Sequence, residues 1–341
     1  MAVKPVSTVE KVDTHGMDAL GFVVIGRNEG QRLAKCLEAV RTYGVPVIYV
    51  DSASHDHSPE MARQMGAVVV NLDPSRPMNA SRGRREGTVA LLEHLPSCKF
   101  VQFIDGDCVL APGWIEAALS FMTENGAAAV VCGRRFEAYP DASIYNRLCD
   151  EEWNTPCGKV QASGGDTLMR VGPLNEVGGF DPTLMASEEP ELAARLRAAG
   201  WDIWRIDVPM TEHDASILSY YAYWRRSLRG GIGLWQAWRR TLHLEHPING
   251  RSLLSALFWV TGLPILVLTL TALFRVPALL LALPAIYGLQ IARMAARKGA
   301  SSWYNWRASS LILSIKSAEL IGAARALLAN REQTAVEYKR R

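Results

Sequence analysis

Two carboxylates separated by one glycine, Asp105 and Asp107, end the apolar run Phe100-Val-Gln-Phe-Ile. Hard oxygen ligands at this spacing can hold Mg²⁺ or Mn²⁺ while the ion's other positions take water and substrate phosphates. Gly106 keeps the backbone close, so both side chains can turn toward one ion. Taken alone, the same residues also describe a strand ending in an Asp-Gly turn. Other polar groups follow comparable apolar runs: Arg27 and Glu29 after Phe22-Val-Val-Ile25, and Asp51-Ser-Ala-Ser-His-Asp56 after residues 45–50. Asp51 can accept a hydrogen bond from a base N–H, and Arg27 or Arg84 can offset phosphate charge.

These groups need a scaffold that brings strand ends together. Residues 21–135 repeat a strand-then-helix pattern, with strands expected at 22–25, 45–50, 67–71 and 100–104 and helices at 31–43, 58–65 and 79–92. Ser58 can cap the second helix, and Pro59 suits its first turn. Strands alternating with helices predict an α/β fold, with a mostly parallel central sheet flanked by helices. The polar clusters after strands one, two and four then converge on one crevice at the carboxyl edge of the sheet. No G-x-G-x-x-G or G-x-x-x-x-G-K-S/T is present, which disfavours a Rossmann dinucleotide site and a P-loop. Farther on, Glu188 and Glu189 open a helical pattern, and residues 205–209 look like a further strand before Thr-Glu212-His213-Asp214.

The net charge of +3 and the absence of an aromatic-interleaved basic stripe argue against nucleic acid as a partner. Six cysteines include no C-x-x-C pair and read as reduced core residues of a cytosolic domain. Residues 1–20 are polar, lack the apolar stretch of a signal peptide, and are expected to form a short flexible lead in the cytosol.

Composition changes after residue 250. Ser252 to Phe274 gives 23 uncharged, mostly apolar residues, and Val276 to Ala292 gives 17 more. The first run is long enough for a bilayer core of roughly 30 Å, and the second is borderline. Residues 251–293 therefore read as a transmembrane or re-entrant hairpin. Arg239, Arg240 and Arg251 before it, and Arg293, Arg297 and Lys298 after it, put both ends on the cytoplasmic side. Residues 216–250 mix tyrosine, tryptophan and arginine, as interfacial helices do, and Arg226 and Arg229 could meet phosphates of a donor or of a polyprenyl-diphosphate acceptor. Residues 294–341 read as an amphipathic helix on the membrane, or a poorly apolar third span, followed by a basic tail.

Four blocks in order resemble the family 2 glycosyltransferases: Val-Val-Ile-Gly-Arg27-Asn28-Glu29, Tyr-Val-Asp51-Ser-Ala-Ser54-His-Asp56, Gly83-Arg84-Arg85-Glu86-Gly87, and Phe-Ile-Asp105-Gly-Asp107. Gly178-Gly-Phe-Asp181 and Ser187-Glu188-Glu189-Pro-Glu191-Leu192 resemble two later family segments, so the likeness runs from Gly21 to Trp204. It departs from the family at Ser52 and Glu189, where aspartates are usual, and at Arg85, where asparagine is usual. The resemblance implies the GT-A nucleotide-diphospho-sugar transferase fold over residues 21–215 and a nucleotide-sugar donor, with UDP-sugars favoured. It implies Mn²⁺ or Mg²⁺ at Asp107 and Asp105, with His213 as a further ligand, and donor contacts from Arg27, Glu29, Asp51, Arg84 and Asp105.

Asp166 lies where the family's acceptor loop runs, which implies that it orients an acceptor or donor-sugar hydroxyl. Alignment implies Glu189 as the base of an inverting displacement, with Glu188 as its competitor. The reaction expected is transfer to a membrane-lipid-linked glycan in surface polysaccharide biosynthesis, at the inner membrane with the catalytic domain in the cytoplasm. Transfer to polyprenyl phosphate is the nearest alternative, and a non-catalytic membrane scaffold is the reading from another class. A processive synthase fits less well, because Arg226-x-x-Arg229-Gly stands where such enzymes carry Gln-x-x-Arg-Trp.

Overall fold

The computed structural model describes residues 17–329; residues 1–16 of the expected lead and the basic tail from 330 lie outside the described residues. The chain begins with β1 (Leu20–Gly26), α1 (Gln31–Arg41), β2 (Val47–Asp51), α2 (Ser58–Gln64), β3 (Val68–Asn71), α3 (Ala80–His94) and β4 (Phe100–Asp105). It continues through β5 (Cys108–Leu110), α4 (Trp114–Glu124), β6 (Ala128–Glu137), α5 (Ile144–Trp153), β7 (Gly158–Lys159) and β8 (Thr167–Arg170). Then come α6 (Val171–Glu176), α7 (Glu188–Ala198) and β9 (Asp202–His213). The expected strand at 205–209 is thus the middle of a longer β9, which carries His213 at its end.

The sheet order is β3-β2-β1-β4-β8-β6-β9-β5, with β7 paired to β9. Only its first half is parallel throughout. In the second half β6 and β9 are again parallel, while β8 lies antiparallel between β4 and β6 and β5 and β7 run antiparallel to β9, so the sheet is mixed. Side chains alternate faces along a strand. On β1, Leu20, Phe22 and Val24 pack beneath α1 and α4 with Leu33, Cys36, Trp114 and Ile115. Val23 and Ile25 face α3 and α7, with Leu91, Phe103 and Leu192. Both faces being covered explains why these strands read as continuous apolar runs. The cysteines are all free thiols, five buried and Cys157 exposed.

The remaining helices are α8 (Tyr220–Thr241), α9 (Gly250–Leu257), α10 (Leu263–Phe274), α11 (Ala282–Lys298), α12 (Trp303–Ser314) and α13 (Lys316–Leu328). A π-helical turn joins α9 to α10, giving one helix from Gly250 to Phe274 with a hydropathy of 2.2. Pro277–Lys298 forms a second helix with a hydropathy of 1.5. Both are long and apolar enough to cross a membrane, and only 17% and 6% of their apolar windows are buried. Contiguous apolar surface left bare on this scale is rare in soluble monomers and commonly marks an interaction surface.

The chain after residue 294 departs from the single amphipathic helix expected. Its first residues complete α11, and the rest forms α12 and α13 with a break at Ile315. α13 packs on α8 with backbones touching: a Cβ at Gly231 would overlap the Glu319 carbonyl, and one at Gly322 would overlap that of Leu228. Leu148 and Cys149 of α5, Tyr223 of α8 and Ala308 of α12 share a small core that ties these helices to the sheet domain.

Candidate active site

Parallel register sets the site's floor. Gly26 pairs with Asp51 and Ile25 with Asp105, so the ends of β1, β2 and β4 lie level. The first two loops brace each other: Asn28 N–H donates to Ser54 Oγ at 2.9 Å, and His55 N–H to Asn28 Oδ1 at 2.7 Å. Asn28 and Ala53 hold positive φ angles of 56° and 57°, strain that the cross-bracing must sustain. Ser58 joins this brace, accepting from Gly30 N–H at 3.2 Å, and makes no side-chain cap for α2. Between the two aspartates, a Cβ at Gly106 would come 3.2 Å from the Ile25 carbonyl and 3.3 Å from Glu29 Cγ, so this turn keeps room for the Glu29 side chain.

Two arginines, Arg84 buried and Arg135 half-buried, organise the carboxylates. Arg84 of α3 donates to Asp105 Oδ1 at 2.8 Å and Glu188 Oε1 at 2.6 Å, and lies 3.2 Å from Glu189 Oε1. Arg135 of β6 donates to Asp105 Oδ2 at 3.0 Å, lies 2.9 Å from Asp166 Oδ2, and contacts Cys108 Sγ at 3.0 Å. Irregularities in the β6–β9 pairing at Cys132/Arg134 and Arg134/Arg135 re-aim this stretch, the usual effect of a bulge. Asp105 therefore gives one oxygen to each guanidinium. The loop before β8 seals this network: a Cβ at Gly165 would overlap Arg84 Nη2 and come 3.1 Å from both Asp105 Oδ2 and Glu189 Oε1.

Glu188 and Glu189 open α7 after Ser187, which holds a φ of 59°. Burial and the neighbouring Glu188 charge push the Glu189 carboxyl up to about 7, against the pull of Arg84. A carboxylate that titrates near neutrality is matched to general-base work. Glu188 is the more tightly paired and less exposed of the two. α8 braces the loop that aims both: Gln236 accepts from Met185 N–H at 2.9 Å, and Arg240 pairs with Asp181 at 3.2 Å.

On the other flank, β5 pairs with β9 so that Cys108 faces His213, and His213 Nε2 lies 3.3 Å from Asp107 Oδ2. Burial raises the Asp107 carboxyl, but the hydrogen bond and charge of His213, then Arg135 and Arg32, outweigh it and hold the group at about 2. A carboxylate oxygen and an imidazole nitrogen this close suit a divalent cation such as Mn²⁺. The donor set fits: Asp107 is ionised, and His213 Nδ1 is buried without a hydrogen-bond partner. Asp105, Cys108 and Asp166 also cluster. Arg135 already fills that space with a fixed cation, and burial pushes the Cys108 thiol well above its usual range, so this trio is a poor metal cage. Asp105, the other aspartate expected as a ligand, has its two oxygens held by Arg84 and Arg135.

Other expected residues are placed differently from one another. Burial, then the charge of Asp107, raises the Glu29 carboxyl, which puts Glu29 beside the metal flank. Arg27 lies on the β1 loop with its Nε buried and unpartnered. Asp51 is buried, accepting from Tyr49 O–H at 3.0 Å and Ser54 N–H at 2.8 Å, so it shapes its own turn. Asp166 is fully buried, accepting from Asp105 N–H at 2.9 Å and Thr211 O–H at 2.7 Å. It supports Asp105 and Arg135 from beneath. Arg226 is bidentate to Glu152 at 3.0 Å on both nitrogens and joins α8 to α5, away from the phosphate role expected; Arg229 follows one turn later on α8.

Sequence reasoning missed Arg135 and Trp153. Trp153, the last residue of α5, stacks beneath Arg135 at 5.2 Å and meets His213 edge-on at 4.9 Å. The available signal was the charged pair Arg134-Arg135 interrupting an apolar strand; nothing local marked Trp153.

Residues 22–169 match the family model described as Glycosyl transferase family 2. Glycosyltransferase AglE of Haloferax volcanii is 26% identical over 193 residues, covering 52% of this chain and 60% of that protein. Succinoglycan biosynthesis protein ExoA of Rhizobium meliloti is 26% identical over 197 residues, covering 53% of this chain and 58% of that protein. The match thus spans less than two thirds of the length of either curated relative. The solved mannosyltransferase PcManGT from Pyrobaculum calidifontis, in complex with GDP-Man and Mn²⁺, superposes with a TM-score of 0.63 at 15% identity. That superposition covers 91% of this chain and 87% of the other, a likeness of fold. The sheet domain is therefore a GT-A-like glycosyltransferase fold.

Proposed function

We propose, from the premise that this chain is a family 2 glycosyltransferase with its family domain at residues 22–169, that the protein is a membrane-attached inverting transferase. It moves a sugar from a nucleotide-diphospho-sugar, UDP-sugars favoured, to a lipid-linked glycan in surface polysaccharide biosynthesis. One observation carries this reading. A carboxylate poised at about 7, Glu189, and a candidate metal pair, Asp107 with His213, flank the same Asp105, held between Arg84 and Arg135.

Glu189 takes the proton of the acceptor hydroxyl; the oxygen attacks the anomeric carbon, and the bond to the diphosphate breaks with inversion. Arg84 keeps Glu189 aimed, and Asp105 is fixed in direction by its two arginines. Arg27, with its unpartnered Nε, is suited to phosphate. A divalent cation on Asp107 and His213, Mn²⁺ or Mg²⁺, supplies charge stabilisation for the departing diphosphate. The two apolar helices, with basic residues at both ends, support seating in the inner membrane with the sheet domain in the cytoplasm.

The test offers membranes holding the protein a panel of UDP-, GDP- and dTDP-sugars with Mn²⁺ or Mg²⁺. The expected result is metal-dependent turnover of one donor class, lost in Asp107→Ala, with product in the lipid fraction. Unchanged turnover in Asp107→Ala would overturn the metal assignment. Transfer to polyprenyl phosphate alone would replace the glycan acceptor.

A further inference from the structure

Away from the crevice, α5 and α12 line an open 240 Å³ cavity with Ser143, Ile144, Arg147, Trp303, Tyr304 and Arg307, joined by Pro140 and Asp141. Its position is fixed by the end of the second apolar helix. Lys298, the last residue of α11, pairs with Glu151 of α5 at 2.7 Å. Asn305 Nδ2 donates to the carbonyls of Lys298 and Gly299 at 2.9 and 2.8 Å, and Trp306 Nε1 donates to Ala300 at 2.9 Å. The turn from α11 into α12 is therefore rigid, and it holds Trp303, Tyr304 and Arg307 at the level where the apolar helix ends. Arg293, Arg297 and Lys298 lie in the last turns of that helix.

The lining is cationic and aromatic. Arg147 stacks on the Tyr304 ring at 4.1 Å, and its α-helical position is one turn before Glu151. Among the described residues, Arg307 is exposed and has no carboxylate partner. The Tyr304 hydroxyl, beside Glu151, forms no hydrogen bond of good geometry. Trp303 stands 74% exposed at the mouth. Arg147, Arg307 and the adjoining Lys298 outnumber the carboxylates Asp141 and Glu151, so the lining keeps a net positive charge and favours an anion. Tryptophan and tyrosine at the end of an apolar helix are the residues that settle among lipid headgroups.

We propose that this cavity binds the phosphate of an anionic membrane phospholipid, fixing the sheet domain against the bilayer through α5. Arg147 and Arg307 meet the phosphate, and Trp303 lies along the glycerol and upper acyl region. α5 then runs from the lipid to the reaction site, because its last residue, Trp153, packs on Arg135 and His213. The proposal rests on reading the two apolar helices as membrane-inserted. That reading fails separately if alkaline carbonate releases the protein from membranes without detergent.

The test titrates the detergent-solubilised full chain with dihexanoyl phosphatidylglycerol while following tryptophan emission. A saturable blue shift is expected, absent in Trp303→Phe. Arg147→Ala/Arg307→Ala is expected to bind on the order of 30-fold more weakly, and Arg307→Ala alone about fivefold more weakly, at roughly 1 kcal/mol per arginine. The single variant guards against misfolding, since Arg307 is exposed and unpaired. Arg293→Ala/Arg297→Ala removes the same charge outside the cavity and should leave affinity within about threefold of wild type. Equal weakening by that control pair, or no saturable shift, overturns the proposal. Displacement by free inorganic phosphate at the concentration that binds the lipid also overturns it, since the site would then take a small anion.

Discussion

Replacing Glu189 by glutamine keeps the shape of the side chain and an oxygen for Arg84 while removing the proton acceptor. General-base assistance contributes on the order of 10²–10⁴ in rate, so kcat should fall by that factor. The pH profile gives a sharper measure. With Glu189 at about 7, about one tenth of the enzyme carries the ionised base at pH 6 and about nine tenths at pH 8. Wild-type kcat should therefore rise about tenfold across that interval and level off above it. Glu188→Gln should behave differently. Glu188 is the largest electrostatic cause of the raised Glu189 value. Neutralising it lets Glu189 ionise more readily, so the acid limb should move below pH 7 while much of the plateau rate survives. The assay follows release of the nucleoside diphosphate at saturating donor and acceptor, constant ionic strength and fixed metal. A Glu189→Gln enzyme within about threefold of wild type, outside the range for a general base, would refute the assignment. Loss confined to Glu188→Gln would hand the role to Glu188.

Three other outcomes follow from the geometry. Gly165→Ala places a Cβ where Arg84 Nη2 now sits; the guanidinium must shift, and kcat should drop on the order of 100-fold with circular dichroism unchanged. Trp153→Leu removes the ring against His213 and Arg135; Mn²⁺ affinity, read by electron paramagnetic resonance titration, should weaken on the order of 10-fold or more. Gly322→Leu cannot keep the α8–α13 backbone contact; it should open α13 to proteolysis and, because α8 braces the Met185–Ser187 loop through Gln236, lower kcat as well.

Much of the architecture was legible because the relevant signals are local. Strands β1, β2 and β4 announce themselves as Val, Ile and Phe runs that stop at polar clusters, and helix α3 is bounded by Asn79, whose side chain accepts from Arg82 N–H. The family likeness read from ordered blocks agrees with the family match over residues 22–169. The apolar hairpin was legible from composition alone, and the structure extends it by a turn at its far end. What was not legible involved partners far apart in sequence. Nothing near residue 167 states that β8 will enter antiparallel between β4 and β6. The burial of Asp51 and Asp166 was not legible either, since it comes from tertiary packing, as do the donors that Asp166 satisfies.

By itself the sequence determined which residues stand at the ends of the strands, since side-chain period and turn chemistry are written over a few neighbouring positions. It also determined that a polar catalytic-type domain precedes a strongly apolar helix pair. Only the tertiary structure decided how the charges share one another. A bulge in β6 sends Arg135 to Asp105, α3 sends Arg84 to the same carboxylate and to the α7 glutamates, and β9 delivers His213 to Asp107 across 106 positions of chain. The physical reason is that a carboxylate's role depends on burial and on the charges within a few ångströms. Those distances are set by how sheet and helices pack, and no local pattern of residues records them.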